Sequence, residues 1–258
     1  MKTGLGDKVI VVTGAAGGIG GAIARMAAAE GAGALMLTDR NGPGCKALAA
    51  ELAGATDVTA VAADLAEATA SEAIMQATLA RFGRIDGLVN AGGITTRASF
   101  VTGTPQDWDQ LFAVNARAGF LLMQAAIADM RARKAAGSIV NILSMNAHCG
   151  IPELAIYAAT KGAMQTLTRN AAHAHMADLI RVNGINLGWV ATEAEDHMQT
   201  VVLGKGSDWQ AAETARLPLG RFVTAEECAR LAVFLLGDAS VPMSGAIIDL
   251  DQKVAGAI

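Results

Sequence analysis

Residues 8–20 read KVIVVTGAAGGIG, and the order of its two halves decides the fold. The apolar run 8–13 has no polar alternation, as expected of a strand covered on both faces. It passes through the glycine-rich turn 13–20 into a segment, 18–30, with apolar residues three and four apart. Strand, tight turn and helix in immediate succession are the first half of a βαβ unit. The same alternation continues along the chain. The runs ALMLT (34–38), VTAVA (58–62), GLVN (87–90), SIVNI (138–142), IRVNGI (180–185) and AIIDL (246–250) read as buried strands. Segments 67–81, 106–133, 155–177 and 224–236 carry helical spacing between them. The expectation is an α/β protein with a doubly wound, mostly parallel seven-stranded sheet and helices on both faces. No composition shift or linker divides residues 1–258, so one domain is expected. The stretch 188–220, dense in glycine, charge and two tryptophans, is the exception and reads as a substrate loop at a strand's C-terminal end.

The totals exclude several classes. At 258 residues, 52% hydrophobic and 17% charged, the chain has apolar material for a substantial core. Aromatics are only 4%, so that core is mainly Ala, Val, Ile, Leu and Met. A net charge of −4 and a pI near 5.6 leave no basic footprint for nucleic acid or anionic membrane. The basic cluster Arg131, Arg133 and Lys134 ends a predicted helix before Gly137 and reads as a solvated face complementing the helix dipole. Cys45, Cys149 and Cys228 are odd in number and widely spaced, which reads as reduced thiols. Asp7, Thr13 and the glycines break up the apolar stretch after Lys2 and Lys8, so it is not a signal peptide. No run of about 18 uncharged apolar residues occurs. A soluble cytoplasmic protein with no nucleic-acid or membrane partner is expected.

The glycines point to a ligand. Gly14, Gly18 and Gly20 permit a tight turn, close approach of backbone to a pyrophosphate, and close packing of helix on strand. The helix N-terminus then offers free N–H groups and partial positive charge to an anion. The alternative is a flexible turn in a glycine-rich chain. The second strand ends in Thr38-Asp39-Arg40. A carboxylate at Asp39 would bond a ribose 2′-hydroxyl and repel a 2′-phosphate, although Arg40 beside it could accept that phosphate. NAD is expected over NADP; the alternative for Asp39 is a plain turn residue.

Tyr157, the only tyrosine, stands four positions before Lys161 in the stretch YAATK (157–161). In a helix the two side chains share a face. A phenol with pKa about 10 is about one part in a thousand ionised at pH 7, so a base near neutrality needs its pKa lowered. A neighbouring ammonium supplies roughly 1–3 units, and an oxidised nicotinamide adds a second positive charge. Beside a Rossmann-like first half, YAATK resembles the YxxxK motif of short-chain dehydrogenase/reductases. The resemblance spans the chain through TGAAGGIG (13–20), Asp64-Leu65, VNAGG (89–93), Asn115, Ser144 thirteen residues before Tyr157, and LGWVAT (187–192).

That resemblance implies an alcohol/ketone oxidoreductase acting on a small molecule, assembled as a homotetramer. It implies that Tyr157 exchanges a proton with the substrate oxygen and that Ser144 hydrogen-bonds that oxygen. Lys161 would lower the Tyr157 pKa and hold the nicotinamide ribose, while Asn115 would position a relay water. Gly14, Gly18, Ile19 and Gly20 would take the phosphates, Asp39 and Arg40 the ribose end. Asp64 and Leu65 would lie at the adenine, Asn90, Ala91 and Gly92 along the adenosine side, and Val190 and Thr192 at the carboxamide.

Val89, Leu143 and Leu187 depart from the pattern without removing a reacting group. The ending DLDQKVAGAI (249–258) replaces the usual Asp-Gly-Gly and is read as shaping an interface or pocket.

By family position the pocket candidates are Arg97, Asn146, His148, Glu153, Trp189, Glu193, Glu195 and Asp196. Their polarity favours a hydroxyl-bearing sugar or polyol. Equally, Glu193, Glu195 and Asp196 could simply open a helix, and His148 could be a loop residue. His173 and His175 point apart on a helix, so no metal site is expected. Two alternatives stand beside this reading: an NADPH-dependent 3-oxoacyl thioester reductase, and an NAD-binding sensor or scaffold without turnover.

Overall fold

β1 (Val9–Thr13) is buried along its whole length, because a central parallel strand has a helical layer on each side. The computed structural model, which describes residues 4–255, places six further strands in the same sheet. They are β2 (Ala34–Asp39), β3 (Asp57–Ala62), β4 (Gly87–Asn90), β5 (Gly137–Ile142), β6 (Ile180–Leu187) and β7 (Ile247–Leu250). Their order is β3-β2-β1-β4-β5-β6-β7, and every pairing is parallel. All seven expected strands are present and the sheet is wholly rather than mostly parallel, but β3 and β7, at its two edges, are partly exposed rather than buried. Strand order reverses between β1 and β4, so a crevice opens at their C-terminal ends, where sheets of this kind bind ligands.

Helices α1 (Gly18–Ala29) and α2 (Gly42–Leu52) cover one face together with the late helix Ala225–Leu236, which becomes α9 below. The other face carries α3 (Ala70–Phe82), α5 (Ala118–Arg133) and α6 (Ala155–His175). The first layer buries Ile23, Ala24 and Ala27 of α1 against Ala229, Ala232 and Val233. Alanines on both sides let these helices lie close, and each fully buried aliphatic side chain in the layer adds about 1.5–3 kcal/mol.

Helix α2 is absent from the periodicity reading. Its sequence opens Gly-Pro-Gly, and local capping starts it: Asn41 Oδ1 accepts from Gly44 N at 3.0 Å, with proline in the first turn. The stretch 106–133 reads as one helix but is two. α4 (Pro105–Phe112), closed by a Thr104/Asp107 capping box, runs into a π-helical turn, Ala113–Arg117, before α5 begins. By length and composition the 29 residues from Pro105 to Arg133 could cross a bilayer. Half of their most apolar window is buried, and α5 places Leu122, Met123, Ala126 and Met130 in the core.

The basic cluster is less solvated than its sequence implies. Arg133 is only partly exposed and pairs with Asp129 at 2.9 Å and Asp86 at 3.3 Å, while Arg131 meets Asp178 at 3.0 Å. Asp129 also accepts from Ile85 N at 3.0 Å. Arg133 therefore helps fix the approach to β4, while Arg131 and Lys134 remain exposed at the helix end.

The segment 188–220 is folded, with α7 (Glu193–His197), a π-helical turn (Met198–Val202) and α8 (Trp209–Thr214). Its two ends are zipped at a neck where Val190 bridges Val223 and Val223 N donates to Trp189 O at 3.1 Å. Trp189, Trp209 and Phe222 pack about that neck with ring centroids 5.1–5.7 Å apart. The chain then enters α9 (Ala225–Leu236) through a Thr224/Glu227 capping box.

Candidate active site

The glycine turn leaves no room for side chains. Gly14 has φ +66°, and a Cβ there would lie 2.8 Å from the Gly92 backbone. A Cβ on Gly20 would sit 2.2 Å from Gly14 O. Helix α1 starts at Gly18 with Gly17 as its cap, so no side chain bonds the first N–H groups, and no acidic residue stands in the first turn. An uncapped N-terminus at the mouth of the crevice fits an anionic pyrophosphate. Ile19 lies in that first turn, half-buried. Thr13 Oγ1 accepts from Ala91 N at 3.1 Å and Gly92 N at 3.0 Å, pinning the turn after β4 against the glycine loop. Leu65 packs over Gly92, and Thr192 lies beside Gly18.

Asp39 ends β2 with one carboxylate oxygen accepting from Asn41 N at 2.9 Å; no bond to the other is found among the described residues. Arg40 points to solvent. Asp64 is exposed and bonds Ala66 N at 2.9 Å. The glycine turn, Asp39, Asp64-Leu65 and residues 90–92 thus lie along one side of the sheet's C-terminal edge. Asn90 is more than a cofactor candidate. Its Nδ2 donates to Asn141 Oδ1 at 2.8 Å, and Asn141 donates on to Thr168 Oγ1 at 2.8 Å, tying β4 and β5 to α6. Asn90 Oδ1 is buried with no partner.

On the other side, α6 presents Tyr157 and Lys161 on one face, both buried. Tyr157 faces Ser144, two residues beyond the end of β5, whose hydroxyl favours the phenolate, and Ser144 Oγ accepts from Asn146 N at 3.2 Å. Lys161 Nζ lies 5.7 Å from the Tyr157 ring centroid and donates to Ile142 O at 2.9 Å. Asn115 sits in the π turn. Its Oδ1 accepts from Ile94 N and its Nδ2 donates to Ile94 O, both at 2.9 Å, with Thr160 Oγ1 at 3.2 Å. The amide thus ties the π turn to the loop after β4 and to α6. A small cavity of about 10 Å³, lined by Asn90, Asn115, Ile142 and Lys161 among others, lies beside it. That is about the room one water needs.

Burial dominates the electrostatics of both groups. Burial holds the Tyr157 phenol above its usual value; the Ser144 hydroxyl and the positive charge of Arg97 pull it down, and Glu195 pushes it up. Burial also pushes the Lys161 ammonium down to about 8. Within the chain alone, desolvation outweighs the help available to the phenolate.

The same burial has a thermodynamic consequence. Unfolded, Lys161 titrates near 10.5, so below pH 8 the unfolded chain holds its proton more tightly and the fold bears the difference. Replacing Lys161 with Met is expected to stabilise the protein by on the order of 1–3 kcal/mol. The gain is complete below pH 8 and fades as pH rises toward 10.5. Urea unfolding at pH 7 and pH 10 measures it; an equal or larger gain at pH 10 would contradict the assignment.

The pocket candidates divide. Arg97 is half-buried, its loop is pinned by Ala98 N donating to Glu153 O at 2.8 Å, and it makes no ion pair among the described residues. Asn146 lies against Ser144. Glu193 and the Glu153 side chain are exposed. Glu195 and Asp196 do open a helix, with Thr192 as its cap (Glu195 N to Thr192 Oγ1, 3.2 Å), and both are engaged by indoles. Trp189 Nε1 donates to Glu195 at 3.0 Å and Trp209 Nε1 to Asp196 at 2.8 Å. These two carboxylates and Trp189 hold the segment together. His148 bonds Asp249, Oδ1 at 2.9 Å and Oδ2 at 3.0 Å, a partner 101 residues away. His175 pairs with Asp178 at 2.9 Å, and no cluster that could hold a metal is found among the described residues. Sequence reasoning missed Gln165, Asn186, Asp249 and Gln252, whose significance lies entirely in partners distant along the chain.

Comparison with known proteins follows the same geometry. The profile of the family described as enoyl-(acyl carrier protein) reductase matches residues 14–252. A 2-(S)-hydroxypropyl-CoM dehydrogenase of Xanthobacter autotrophicus is 34% identical, over 97% of this chain and 98% of its own. A D-threitol dehydrogenase of Mycolicibacterium smegmatis is 36% identical, over 96% and 92%. The crystal structure of L-sorbose reductase from Gluconobacter frateurii, complexed with NADPH and L-sorbose, superposes with a TM-score of 0.94 at 28% identity, covering all of both chains.

Proposed function

The chain belongs to the short-chain dehydrogenase/reductase family of oxidoreductases, and from that premise we propose that it interconverts a secondary alcohol and a ketone with NAD, on a sugar or polyol. The observation that carries the chemistry is the buried Tyr157 facing Ser144, with Lys161 one helical turn on and its Nζ 5.7 Å from the Tyr157 ring centroid. A bound NAD would supply the hydride acceptor and a positive charge. In oxidation, Tyr157 accepts the hydroxyl proton while the C–H bond gives up its hydride, and in reduction it returns the proton. Ser144 Oγ bonds the reacting oxygen, where charge develops. Lys161, steadied by Ile142 O, would hold the nicotinamide ribose, and its ammonium would release a proton toward the water-sized cavity beside Asn115 as it takes one up from the Tyr157 side. The glycine turn would hold the pyrophosphate, Asp64 and Leu65 would border the adenine, and Val190 and Thr192 would bound the carboxamide.

The sugar or polyol reading draws on the polar groups about Tyr157, Arg97 and Asn146 above all, and on the D-threitol and L-sorbose relatives. Screening NAD reduction over tetritols, pentitols, hexitols, ketoses and simple secondary alcohols tests it. Turnover confined to alcohols without neighbouring hydroxyls would overturn the substrate class.

The cofactor preference rests on Asp39. Asp39→Ala removes the charge that repels a 2′-phosphate, and Arg40 remains to meet it. The ratio of kcat/KM for NAD to that for NADP is expected to fall at least about tenfold, on the order of 1.4 kcal/mol. An unchanged ratio would remove Asp39 as the determinant.

The proposed assembly is a homotetramer. An apolar groove between α5 and α6, with Phe120, Met123, Ile127 and Leu167 in its walls, supports burial against another copy, and light scattering would count the chains. Unpaired Cys45, Cys149 and Cys228 accord with a reducing cytoplasm.

A further inference from the structure

The residues that end and follow β7 reach three segments around the crevice. Asp249 takes the His148 Nε2 contact and also accepts from Asn186 Nδ2 at 2.8 Å. Asn186 Oδ1 accepts in turn from Gln165 Nε2 at 2.8 Å, one turn beyond Lys161 on α6. His148 closes the short turn, Met145–His148, that begins directly after Ser144. Asp249 thereby holds the turn carrying Ser144 and Asn146 against β6 and the Lys161 helix.

Two residues on, Asp251 lies against Gly188, where an added Cβ would come within 2.3 Å of its carboxylate. Gly188 N also donates to Leu250 O at 2.9 Å. Gln252 follows, where the family's usual ending has glycine. Its Oε1 accepts from Leu219 N at 2.8 Å, and its Nε2 donates to Arg221 O at 2.6 Å. Leu219 and Arg221 are the return of the 188–220 segment, just before the Val190–Val223 neck. A glycine at 252 could make neither bond. The last residues of the tail, 256–258, lie outside the described residues.

We propose that Asp249 and Gln252 are positioning residues for the substrate: Asp249 sets the turn beside Ser144, and Gln252 clasps the return of the 188–220 segment to the sheet. The tail is then a frame for the pocket, anchored by side chains rather than by the glycines the family pattern supplies. It holds the entry of the segment at Gly188, its exit at Leu219 and Arg221, and the opposite wall at His148. It touches none of the residues proposed for the dinucleotide. Loosening it therefore affects substrate binding ahead of cofactor binding and proton transfer.

The test uses Gln252→Met, which keeps bulk and loses both bonds, with Gln252→Glu, which keeps the acceptor for Leu219 N–H, and Asp249→Asn. Trypsin under native conditions reads the segment directly, since Lys205, Arg216 and Arg221 lie within or beside it. Cleavage there is expected to accelerate about tenfold in Gln252→Met, the loss of one to two net hydrogen bonds, and less in Gln252→Glu. The melting temperature stays within about 2 °C, as for a surface change. For whichever alcohol of the panel is turned over, KM rises about tenfold in Gln252→Met and Asp249→Asn. In Gln252→Met kcat and the KM for NAD hold within twofold; in Asp249→Asn, which loosens the turn after Ser144, kcat falls as well while the KM for NAD holds within twofold. Unchanged cleavage and unchanged KM overturn the clasp, as does a loss of melting temperature that accounts for both. If no alcohol is turned over, the proposed substrate class fails, and the cleavage rate alone decides the clasp.

Discussion

Replacing Tyr157 with Phe is expected to lower kcat by a factor on the order of 10²–10⁴ while leaving the dissociation constant for NAD within about twofold. The ring is 8% exposed and fills its own volume, so Phe packs in its place. Ser144 keeps its contact with Asn146, so the lost phenol does not strand a buried hydroxyl. What disappears is the one group positioned to exchange a proton with an oxygen held by Ser144. Steady-state kinetics and calorimetric NAD titration on one preparation measure both halves. Turnover near the wild-type level would end the mechanism, and retention of NAD binding with no turnover would support it. Because burial holds the phenol above its usual value in the chain alone, the basic form becomes available only as pH rises or as positive charge arrives with the cofactor. Alcohol oxidation should accordingly climb with pH, and ketone reduction should be favoured at lower pH.

Gly20→Ala is expected to raise the dissociation constant for NAD at least about 100-fold. An alanine Cβ at that position would lie 2.2 Å from Gly14 O and 2.7 Å from Gly14 C, and backbone cannot swing aside as a side-chain tip can. Either α1 shifts away from β1 or the turn opens, and both displace the N–H groups proposed to meet the pyrophosphate. Overpacking of this kind also costs about 1–3 kcal/mol of stability, so the melting temperature should fall with the affinity. Gly54→Ala is the control, since nothing lies within 4 Å of a Cβ there. Calorimetric titration showing wild-type affinity in Gly20→Ala would mean that the turn does not hold the dinucleotide.

Much of the fold was readable because central strands such as β1 and β2 are nearly continuous apolar runs, although β3 is only partly buried and β6 is interrupted by Arg181 and Asn183. Helix α2 was not, because its start rests on the Asn41 cap and a proline in a stretch whose glycines read as a turn. The π turn at Asn115 was hidden as well, since its residues satisfy helical spacing and the break is a hydrogen-bonding event. In the site, Ser144, Tyr157 and Lys161 were legible from spacing on a strand end and one helix face. The charges were less so. Glu195 and Asp196 read either as pocket candidates or as the opening of a helix; they do open one, with two indole N–H groups on their carboxylates, and Arg133 read as solvated although Asp86 and Asp129 draw it in. Asp249 and Gln252 were opaque because their partners stand 101, 33 and 31 residues away, beyond any local pattern.

The neck of the 188–220 segment has an optical corollary. Two of the three tryptophans, Trp189 and Trp209, stand in it with their indole N–H groups on carboxylates and Lys205 5.9 Å over the first ring. The third, Trp108, is stacked on Phe112 at 4.4 Å in another part of the molecule. With a single tyrosine in the chain, ultraviolet emission is almost purely indole, and most of its emitters sit where the segment joins the sheet. The protein thus carries an intrinsic fluorophore pair at the junction whose movement matters, and needs no attached dye to report it.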